Sequence, residues 1–205
     1  MERHGFDMKR VIFATSNEGK MDEIRDILKD LDIELLSLKD AGLNPQIEEN
    51  GNTFEENAII KAKAVMELTG EMVLADDSGL EVDYLDKAPG IYSARFLGED
   101  TPYSIKNQYI IDKLSNAQGE ERSARFVCVI ALALPSGEVI TRQGVIEGYI
   151  AEKISGEHGF GYDPIFYVPE FECTTAELSF EHKNQISHRG IALSKMKELL
   201  KQYIS

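Results

Sequence analysis

The sequence has little basic charge, few cysteines and no long hydrophobic run. Its 205 residues carry 22 Lys and Arg against 36 Asp and Glu, a formal net charge of −14. Proteins hold nucleic acids and anionic membranes through many Lys and Arg contacts, so this excess of acid argues against both. No nucleic-acid or membrane partner is therefore expected, although a local basic cleft stays compatible with the composition.

The cysteines and the apolar runs exclude further classes of protein. Cys128 and Cys173 show neither CxxC spacing nor the pattern of a disulfide framework, which fits a reducing, cytoplasmic location. The longest apolar run, residues 126–134, has the length of a buried strand and is too short for a membrane span. Residues 1–10 contain no apolar segment, so we expect no secretory signal and a dispensable extension over residues 1–8.

Strand-like and helix-like segments follow one another along the first half of the chain. The pattern predicts strands over residues 10–15, 33–38 and 72–75, the last of which ends at Asp76, and a separate short strand over residues 80–85. Apolar residues at helical spacing over 21–31 predict a first helix. A second helix over 53–68 begins at a capping box, in which Thr53 is followed three residues later by Glu56.

The second half of the chain has the same mixed character. The pattern predicts a helix over 101–114 and two strands over 125–134 and 139–150, which a Pro-Ser-Gly turn joins as an antiparallel hairpin. A short strand over 164–168 follows, and a capping box of Thr174 and Glu177 precedes a final amphipathic helix. We therefore expect an α/β or α+β fold with a mixed sheet, in one domain over residues 1–205.

The first segment with chemical potential lies where the first strand meets the first helix. It reads Thr15, Ser16, Asn17, Glu18, Gly19 and Lys20. Free backbone N–H groups at a helix N-terminus, together with a lysine, bind phosphate. The stretch departs from a P-loop, because Ala14 replaces the first glycine and Met21 replaces the hydroxyl residue that would bind magnesium. The plainer explanation is a helix cap with a solvated Lys20.

Two pairs of adjacent carboxylates form the second segment, Glu48 with Glu49 and Asp76 with Asp77. Adjacent strand residues point to opposite faces, so at most one of Asp76 and Asp77 is expected to project into a given site. Magnesium is typically held by one or two carboxylates together with substrate phosphates and water. Glu48 and one of the two aspartates could supply that share, whereas the plainer explanation for the glutamates is a solvated acidic loop.

Two further segments could bind a flat ligand and its phosphates. In residues 159–164 glycines alternate with Phe160 and Tyr162, which permits close backbone approach to a ligand and offers a stacking face. The alternative is a turn with core aromatics. Lys183, His188 and Arg189 form a cationic cluster between two helices, which could meet a phosphate or a base, or could interact with a helix dipole.

Taken together and in this order, the segments resemble the inosine triphosphate pyrophosphatase family, also called XTP/dITP diphosphatases. The resemblance covers about residues 9–200 and rests on TSNxxK, EExGxTFxENAxxKA, ADDSGLxVDxLxxAPGxYSARF, GFGYDPIF and SHRGxAL. It implies an elongated, two-lobed α/β protein, a homodimer, with a central mixed β-sheet flanked by helices and a nucleotide cleft between the lobes. It also implies an Mg²⁺-dependent enzyme that hydrolyses ITP, dITP and XTP to the monophosphate and pyrophosphate.

The resemblance also implies a role for each matching residue. Thr15, Ser16, Asn17, Glu18, Gly19 and Lys20 would bind the triphosphate, and Ser78 would contact the substrate. Glu48 and Asp77 would hold Mg²⁺, with Asp77 as the assigned proton acceptor and Lys20 as the second catalytic residue. The base and sugar would meet Phe160, Gly161, Tyr162, Asp163, Lys183, His188 and Arg189.

The chemistry leaves several points open. Mg²⁺ and Lys20 would stabilise the charge that forms when water attacks the α-phosphorus and pyrophosphate leaves. A carboxylate bound to Mg²⁺ is a poor base, so Asp77 would mainly orient the water, with Asp76 as the other candidate. Two alternatives remain: a pyrophosphatase of modified pyrimidine triphosphates, and a nucleotide-binding module without catalysis.

Overall fold

The computed structural model describes residues 8–204, so the predicted extension over residues 1–8 lies almost entirely outside the described part. Seven strands are present there: β1 (Lys9–Phe13), β2 (Ile33–Ser37), β3 (Met72–Val82), β4 (Ser123–Ala133), β5 (Val139–Ile150), β6 (Phe166–Val168) and β7 (Cys173–Thr174). The α-helices of the same residues are α1 (Glu18–Leu28), α2 (Phe54–Thr69), α3 (Tyr103–Lys113), α4 (Phe180–Ile186) and α5 (His188–Ile204).

The strands form one mixed sheet in the order β2-β1-β3-β4-β5-β6-β7. The pairs β1–β2 and β1–β3 are parallel, and every pair from β3–β4 to β6–β7 is antiparallel. The predicted hairpin is confirmed, since β4 and β5 pair antiparallel from Ala133 and Val139 to Ser123 and Tyr149. The predicted mixed-sheet α/β fold is therefore confirmed.

Two predicted boundaries were wrong. Strand β3 does not end at Asp76 but continues to Val82, because β4 pairs with each residue of this stretch, including Asp76 with Ile130 and Ser78 with Cys128. The capping box of Thr174 and Glu177 closes a short 3-10 turn and not the final helix. Helix α4 lies between that turn and the final helix, α5, which begins directly after Ser187; this residue has extended backbone geometry, and its hydroxyl accepts a hydrogen bond from the Gly190 N–H at 3.0 Å.

The helices cover the sheet on both faces. Helices α1 and α5 pack on one face, on apolar side chains of β1, β3 and β4, and α2 packs on the opposite face of the same strands. A third core cluster lies at the far ends of β3, β4 and β5, where α3 and β6 pack. The space between this cluster and the first two is the cleft described below. Among residues 8–204, no helix is long and apolar enough to cross a membrane.

Candidate active site

A cavity of about 380 Å³ lies between the core clusters, where the end of β1 and the middle of β3 open onto the segments that follow β5. Sequence segments far apart in the chain meet here. The predicted site residues that line the cavity are Thr15, Ser16, Asn17, Lys20, Asp77, Ser78, Phe160, Gly161, Tyr162, Asp163, Lys183, His188 and Arg189. Glu18, Gly19 and Glu48 are not among its lining residues.

The N-terminus of α1 forms one end of the cleft. The Asn17 side chain caps this helix by accepting a hydrogen bond from the Lys20 N–H at 3.1 Å, and the Thr15 hydroxyl accepts one from the Asn17 N–H. Glu18 points to solvent near Arg25. Gly19 lies so close to the Phe160 ring that a Cβ atom there would be 2.9 Å from it. The cleft end therefore combines a helix N-terminus with the Lys20 ammonium, the features of an anion site.

A row of charges of alternating sign runs along the cleft: some of them line the cavity, whereas Asp76 and Glu23 lie buried behind its wall. The Lys20 Nζ lies 2.9 Å from an Asp76 carboxylate oxygen, which lies 3.5 Å from an Arg189 guanidinium nitrogen. Arg189 also donates to Glu23, which accepts a second bond from Lys183 at 2.6 Å, and Lys183 donates to Asp163 at 2.6 Å. This row, called the charge row below, comprises Lys20, Asp76, Arg189, Glu23, Lys183 and Asp163. It connects α1, β3, α4 and α5 with the 3-10 turn that begins at Asp163.

Asp76 and Asp77 face opposite sides of β3, as strand alternation predicts. Asp76 meets Lys20 and Arg189; burial alone would raise its pKa, but Lys20, Arg189 and Lys61 hold that pKa well below its usual value. Asp77 faces α2, where the Lys61 Nζ lies 3.7 Å away. Burial, together with the charges of Asp76 and Glu49, raises the pKa of Asp77 to about 6. Its Oδ2 atom is buried and has no hydrogen-bond partner among residues 8–204.

The structure brings Glu49, and not Glu48, to Asp77. Burial alternates along residues 43–50, so this extended segment directs Ile47 and Glu49 inward and leaves Glu48 exposed. Both Ile47 and Glu49 line the cavity, and Glu49 lies 2.8 Å from the Lys61 Nζ. The assignment of Glu48 to a metal therefore does not fit the geometry, because Glu48 is exposed and does not line the cavity that Glu49 and Asp77 share.

The other end of the cleft holds an aromatic ring beside two cations. The Lys183 Nζ lies 4.7 Å from the centroid of the Phe160 ring, and the Arg189 guanidinium carbon lies 5.6 Å from it. His188 stacks on Phe126 with ring centroids 4.6 Å apart, and burial beside Arg189 and Lys183 lowers its pKa well below the usual value. His188 is therefore a neutral imidazole, and its Nδ1 atom has no partner within the described chain.

Three predicted site residues at this end, Gly161, Tyr162 and Asp163, make hydrogen bonds within the protein that fix the local backbone. The Tyr162 hydroxyl is buried and donates to the Ser93 carbonyl at 2.6 Å. One Asp163 oxygen accepts hydrogen bonds from the Phe160 N–H at 2.9 Å and from Lys183. This carboxylate therefore holds residues 159–163, called the aromatic loop below, against the charge row. The Gly161 carbonyl accepts from Asn107 of α3. These residues shape the aromatic loop.

Sequence reasoning missed Glu23 and Lys61. Glu23 lies on the apolar face of α1 beside Met21, Ile24 and Leu28, and Lys61 lies on α2 next to the buried Ala62. A charged residue on a buried helical face is costly unless it is paired. The position of each charge in the helical pattern therefore indicated that it has a partner elsewhere in the fold. A wider depression of about 900 Å³ near Tyr149 offers no comparable chemistry, because its Arg122 donates to backbone carbonyls.

The fold and the cleft define a class of α/β protein whose ligand has an anionic part and an aromatic part. This ligand fits the cleft between the third core cluster and the first two. Comparison with known sequences identifies the protein further. The model of the Ham1 family matches residues 11–199, so the chain belongs to the Ham1 family.

Named relatives and solved structures agree with this family. The chain is 48% identical over 200 residues to the dITP/XTP pyrophosphatase of Clostridium perfringens, covering 95% of this chain and 98% of the relative. It is 47% identical over 193 residues to the dITP/XTP pyrophosphatase of Bacillus subtilis, covering 94% and 98%. The structure of a HAM1 protein from Coxiella burnetii matches with a TM-score of 0.86 at 42% identity, covering 95% of this chain and all of that one. The Staphylococcus aureus Ham1 protein matches with a TM-score of 0.85 at 41% identity over the same shares.

Proposed function

We propose that this protein hydrolyses ITP, dITP and XTP to the nucleoside monophosphate and pyrophosphate. One observation carries the proposal: the cleft has an anion-binding end at the α1 N-terminus and an aromatic end at Phe160, joined by the charge row. A nucleoside triphosphate has the same two ends. Support also comes from relatives that share nearly half of the sequence and are named dITP/XTP pyrophosphatases.

Selectivity for the base follows from the donors at the aromatic end. Lys183 and Arg189 can only donate hydrogen bonds, and the Arg189 Nε is buried without a partner in the described chain. Hypoxanthine and xanthine present an oxygen at C6, which accepts such bonds, whereas adenine presents an amino group. A site that leaves buried polar groups unpaired rejects the analogue by roughly 10⁴-fold or more. ATP is therefore the poorer substrate.

We also propose that Mg²⁺ is the cofactor and that Asp77 and Glu49 hold it. The buried, unpaired Asp77 Oδ2 beside Glu49 is a suitable oxygen donor set. Residues 8–204 contain no group of three or more His, Cys, Asp or Glu side chains that could hold a metal by themselves. This fits magnesium, which usually takes one or two carboxylates and completes its shell with phosphates and water. When bound, the ion would neutralise phosphate charge and lower the pKa of the attacking water.

The remaining chemistry falls to the protein's own side chains. Lys20 would neutralise charge on the departing pyrophosphate, because it lies at the anion end with the α1 N-terminus. Asp77 would mainly orient the attacking water, because a carboxylate that holds Mg²⁺ is a poor base. Asp76 is unsuited to that task, since Lys20, Arg189 and the Ser78 hydroxyl already occupy its two oxygens.

A substrate panel tests the proposed function. The panel contains ITP, dITP, XTP, ATP, GTP and modified pyrimidine triphosphates, with pyrophosphate scored separately from orthophosphate and with Asp77→Asn as the inactive control. We expect pyrophosphate release, with kcat/KM for ITP and XTP above the values for ATP and GTP. Comparable values for GTP, or preference for a pyrimidine, would contradict the proposal, and a lack of turnover would favour the binding module.

We further propose a homodimer, which the family resemblance implies. Support comes from exposed apolar side chains on α3 and the segment before it, Tyr92, Leu97, Tyr103, Ile105 and Tyr109. Sedimentation of the 23.0 kDa chain should show a species of twice that mass. Ile105→Glu should weaken it and Leu68→Glu, at an exposed site of α2, should not; a monomeric wild type contradicts the proposal.

A cytoplasmic location is also a proposal. It rests on the substrates, which belong to the cellular nucleotide pool, and on Cys128 and Cys173, which are not joined in a disulfide. Fractionation of the native cells should recover the protein and its activity with the cytoplasmic fraction, and recovery outside it would contradict this location.

A further inference from the structure

Arg95 lines the cleft but has no role in the site described so far. It belongs to a wall of the cavity that the segment before α3 forms together with the first residue of that helix. The lining residues of this wall are Ser93, Ala94, Arg95, Glu99 and Tyr103. The Arg95 side chain is exposed, and its guanidinium carbon lies 5.6 Å from the centroid of the Tyr92 ring. A ligand in the cavity can therefore reach this guanidinium.

Arg95 differs from the other cations of the cleft in having no acidic partner. Every other Lys or Arg side chain that lines the cavity is paired with a carboxylate: Lys20 with Asp76, Lys61 with Glu49, Lys183 with Glu23 and Asp163, and Arg189 with Glu23. In the part of the chain that the structure describes, the Arg95 guanidinium forms no ion pair, not even with Glu99 of the same wall. An anion in the cleft can therefore pair with Arg95 without competing with a carboxylate for it.

The segment that carries Arg95 packs on the Asp77 side of β3. A Cβ atom at Gly79 would lie 2.5 Å from the Ser93 hydroxyl oxygen, so the segment and the strand are in direct contact there. Gly79 follows Asp77 by two residues, and alternate residues of a strand share one face of the sheet. Arg95 therefore lies towards the face of β3 where the proposed function places the reacting phosphates.

Two hydrogen bonds hold the backbone next to Arg95. The Ser93 hydroxyl accepts one from the Leu80 N–H of β3 at 2.9 Å, and the Ala94 carbonyl accepts one from the Lys106 ammonium of α3 at 2.8 Å. Lys106 is itself fully buried, so this anchor belongs to the core of the protein. A side chain on a fixed backbone loses less conformational freedom on binding, and the planar donors of a guanidinium match phosphate oxygens in pairs.

We propose that Arg95 binds the β- and γ-phosphates of the substrate, the part that leaves as pyrophosphate. The inference rests on the proposed function and assigns one further residue to it. The two terminal phosphates carry most of the charge of a triphosphate, and among the described residues Arg95 is the one cation lining the cleft whose charge no carboxylate offsets. The α-phosphate and the base remain on the monophosphate product. Arg95 therefore contributes to the binding of the triphosphate and of pyrophosphate, but not to the binding of the monophosphate.

The experiment compares Arg95→Gln with the wild type in the full-length protein with Mg²⁺. It measures kcat/KM for ITP together with the inhibition constants of the two products, IMP and pyrophosphate. In the variant we expect kcat/KM for ITP to fall by about tenfold or more and the inhibition constant of pyrophosphate to rise by a similar factor, because hydrogen bonds to a charged group are lost. The inhibition constant of IMP should stay at the wild-type value. A purely structural role of Arg95, or a contact with the base, would weaken IMP as well.

Two further variants control for charge and geometry. Arg142→Gln removes the same charge from β5 at a position that does not line the cavity, so it should leave all three constants unchanged. Arg95→Lys keeps the charge but not the planar pair of donors, so it should recover part of the loss. Thermal unfolding reports whether each variant folds, and if Arg95→Gln does not, the same comparison is made with Arg95→Lys.

Two results overturn the inference. One is an unchanged kcat/KM for ITP in the folded Arg95→Gln variant, and the other is an equal loss of affinity for IMP and for pyrophosphate. A wild type that does not convert ITP to IMP and pyrophosphate overturns the proposed function instead. Calorimetric titration of pyrophosphate into the wild type and Arg95→Gln then still tests the contact, so the two failures are distinguishable.

Discussion

Asp76 and Asp77 are neighbours in β3, but their surroundings shift their pKa values in opposite directions. Asp76 is surrounded by cations that keep it ionised, whereas burial beside Glu49 raises the pKa of Asp77 to about 6. Two adjacent carboxylates whose environments separate their pKa values commonly perform different tasks. At the scale of single residues, Asp76 maintains the charge row and Asp77 is available for reaction.

Asp77→Asn should abolish activity and stabilise the metal-free protein. The raised pKa means that ionisation of Asp77 costs stability, so stability falls as pH rises from about 4 to about 6, and the amide avoids that cost. A shift of about two pKa units corresponds to roughly 2–3 kcal/mol, so unfolding near pH 8 without metal should favour the variant by about 2 kcal/mol, and near pH 4 by almost nothing. Turnover near wild-type level at saturating Mg²⁺ would disprove the catalytic role.

Asp76→Asn is the contrasting variant. It leaves Lys20 and Arg189 without their shared carboxylate, and breaking a buried pair in this way costs roughly 3–5 kcal/mol. Urea unfolding near neutral pH should show this loss. If the variant were as stable as the wild type, Asp76 would not be required to compensate the charges of Lys20 and Arg189.

Metal binding should weaken as the pH falls through about 6. Ligand carboxylates bind a cation only when they are deprotonated, and the pKa of Asp77 is about 6 in the free protein. Calorimetric titration with Mg²⁺ at several pH values measures this dependence. Glu49→Gln should lower the affinity and Glu48→Gln should not; the reverse order would restore Glu48 as the ligand.

At the scale of elements, the position of α5 depends on a close approach to β5. A Cβ atom at Gly144 would collide with the His188 carbonyl and with the Ala192 N–H, so only glycine allows this contact. The first turn of α5 carries His188 and Arg189, which links this packing to the aromatic end of the cleft.

Gly144→Ala should displace the start of α5. Overpacking of this kind costs typically 1–3 kcal/mol, and the loss should be accompanied by a higher KM for ITP, because Arg189 moves with the helix. Thermal unfolding and steady-state kinetics measure the two effects. Ser194→Ala, on the exposed side of α5, serves as the control. An unchanged KM in a destabilised Gly144→Ala variant would show that this packing contact does not position Arg189.

The elements also show how far the sequence predicts the molecule. Helix α2 and the β4–β5 hairpin were predictable, because the Thr53 capping box and the Pro-Ser-Gly turn are local signals. The sequence predicted two strands, over 72–75 and 80–85, but not their union in β3, since two aspartates interrupt the apolar run and only pairing with β4 keeps them extended.

For the site, the sequence motifs contained most cleft residues but not the partners that organise them. Glu23 and Lys61 lie on helical faces, and their roles depend on side chains distant in the chain. Likewise, the sequence alone does not show which of Glu48 and Glu49 faces the cleft, because this depends on the path of the loop.

At the scale of the whole molecule, the net charge of −14 and the charge row behave differently towards salt. Exposed like charges repel one another, and at 0.1 M salt the repulsion between charges more than about 10 Å apart is largely screened. Buried ion pairs are screened much less. The acidic surface thus disfavours long polyanions, whereas the cleft can still accept a single nucleoside triphosphate.

The melting temperature should therefore rise with moderate NaCl near neutral pH. Screening relieves the repulsion among the excess carboxylates, and this repulsion vanishes near the isoelectric point of about 4.7. Thermal unfolding in a NaCl series at the two pH values measures the effect. A salt dependence of equal size at both pH values would contradict it.

Helix α1 carries both Lys20 and Glu23, so its backbone sets the distance between two members of the charge row. Three residues advance along an α-helix by about 4.5 Å and stay on one face, so backbone geometry fixes the spacing between Lys20, which pairs with Asp76, and Glu23, which pairs with Lys183 and Arg189. An inserted residue between them would turn Glu23 by about 100° away from Lys183 and Arg189. Hence α1 fixes the separation between the two halves of the charge row.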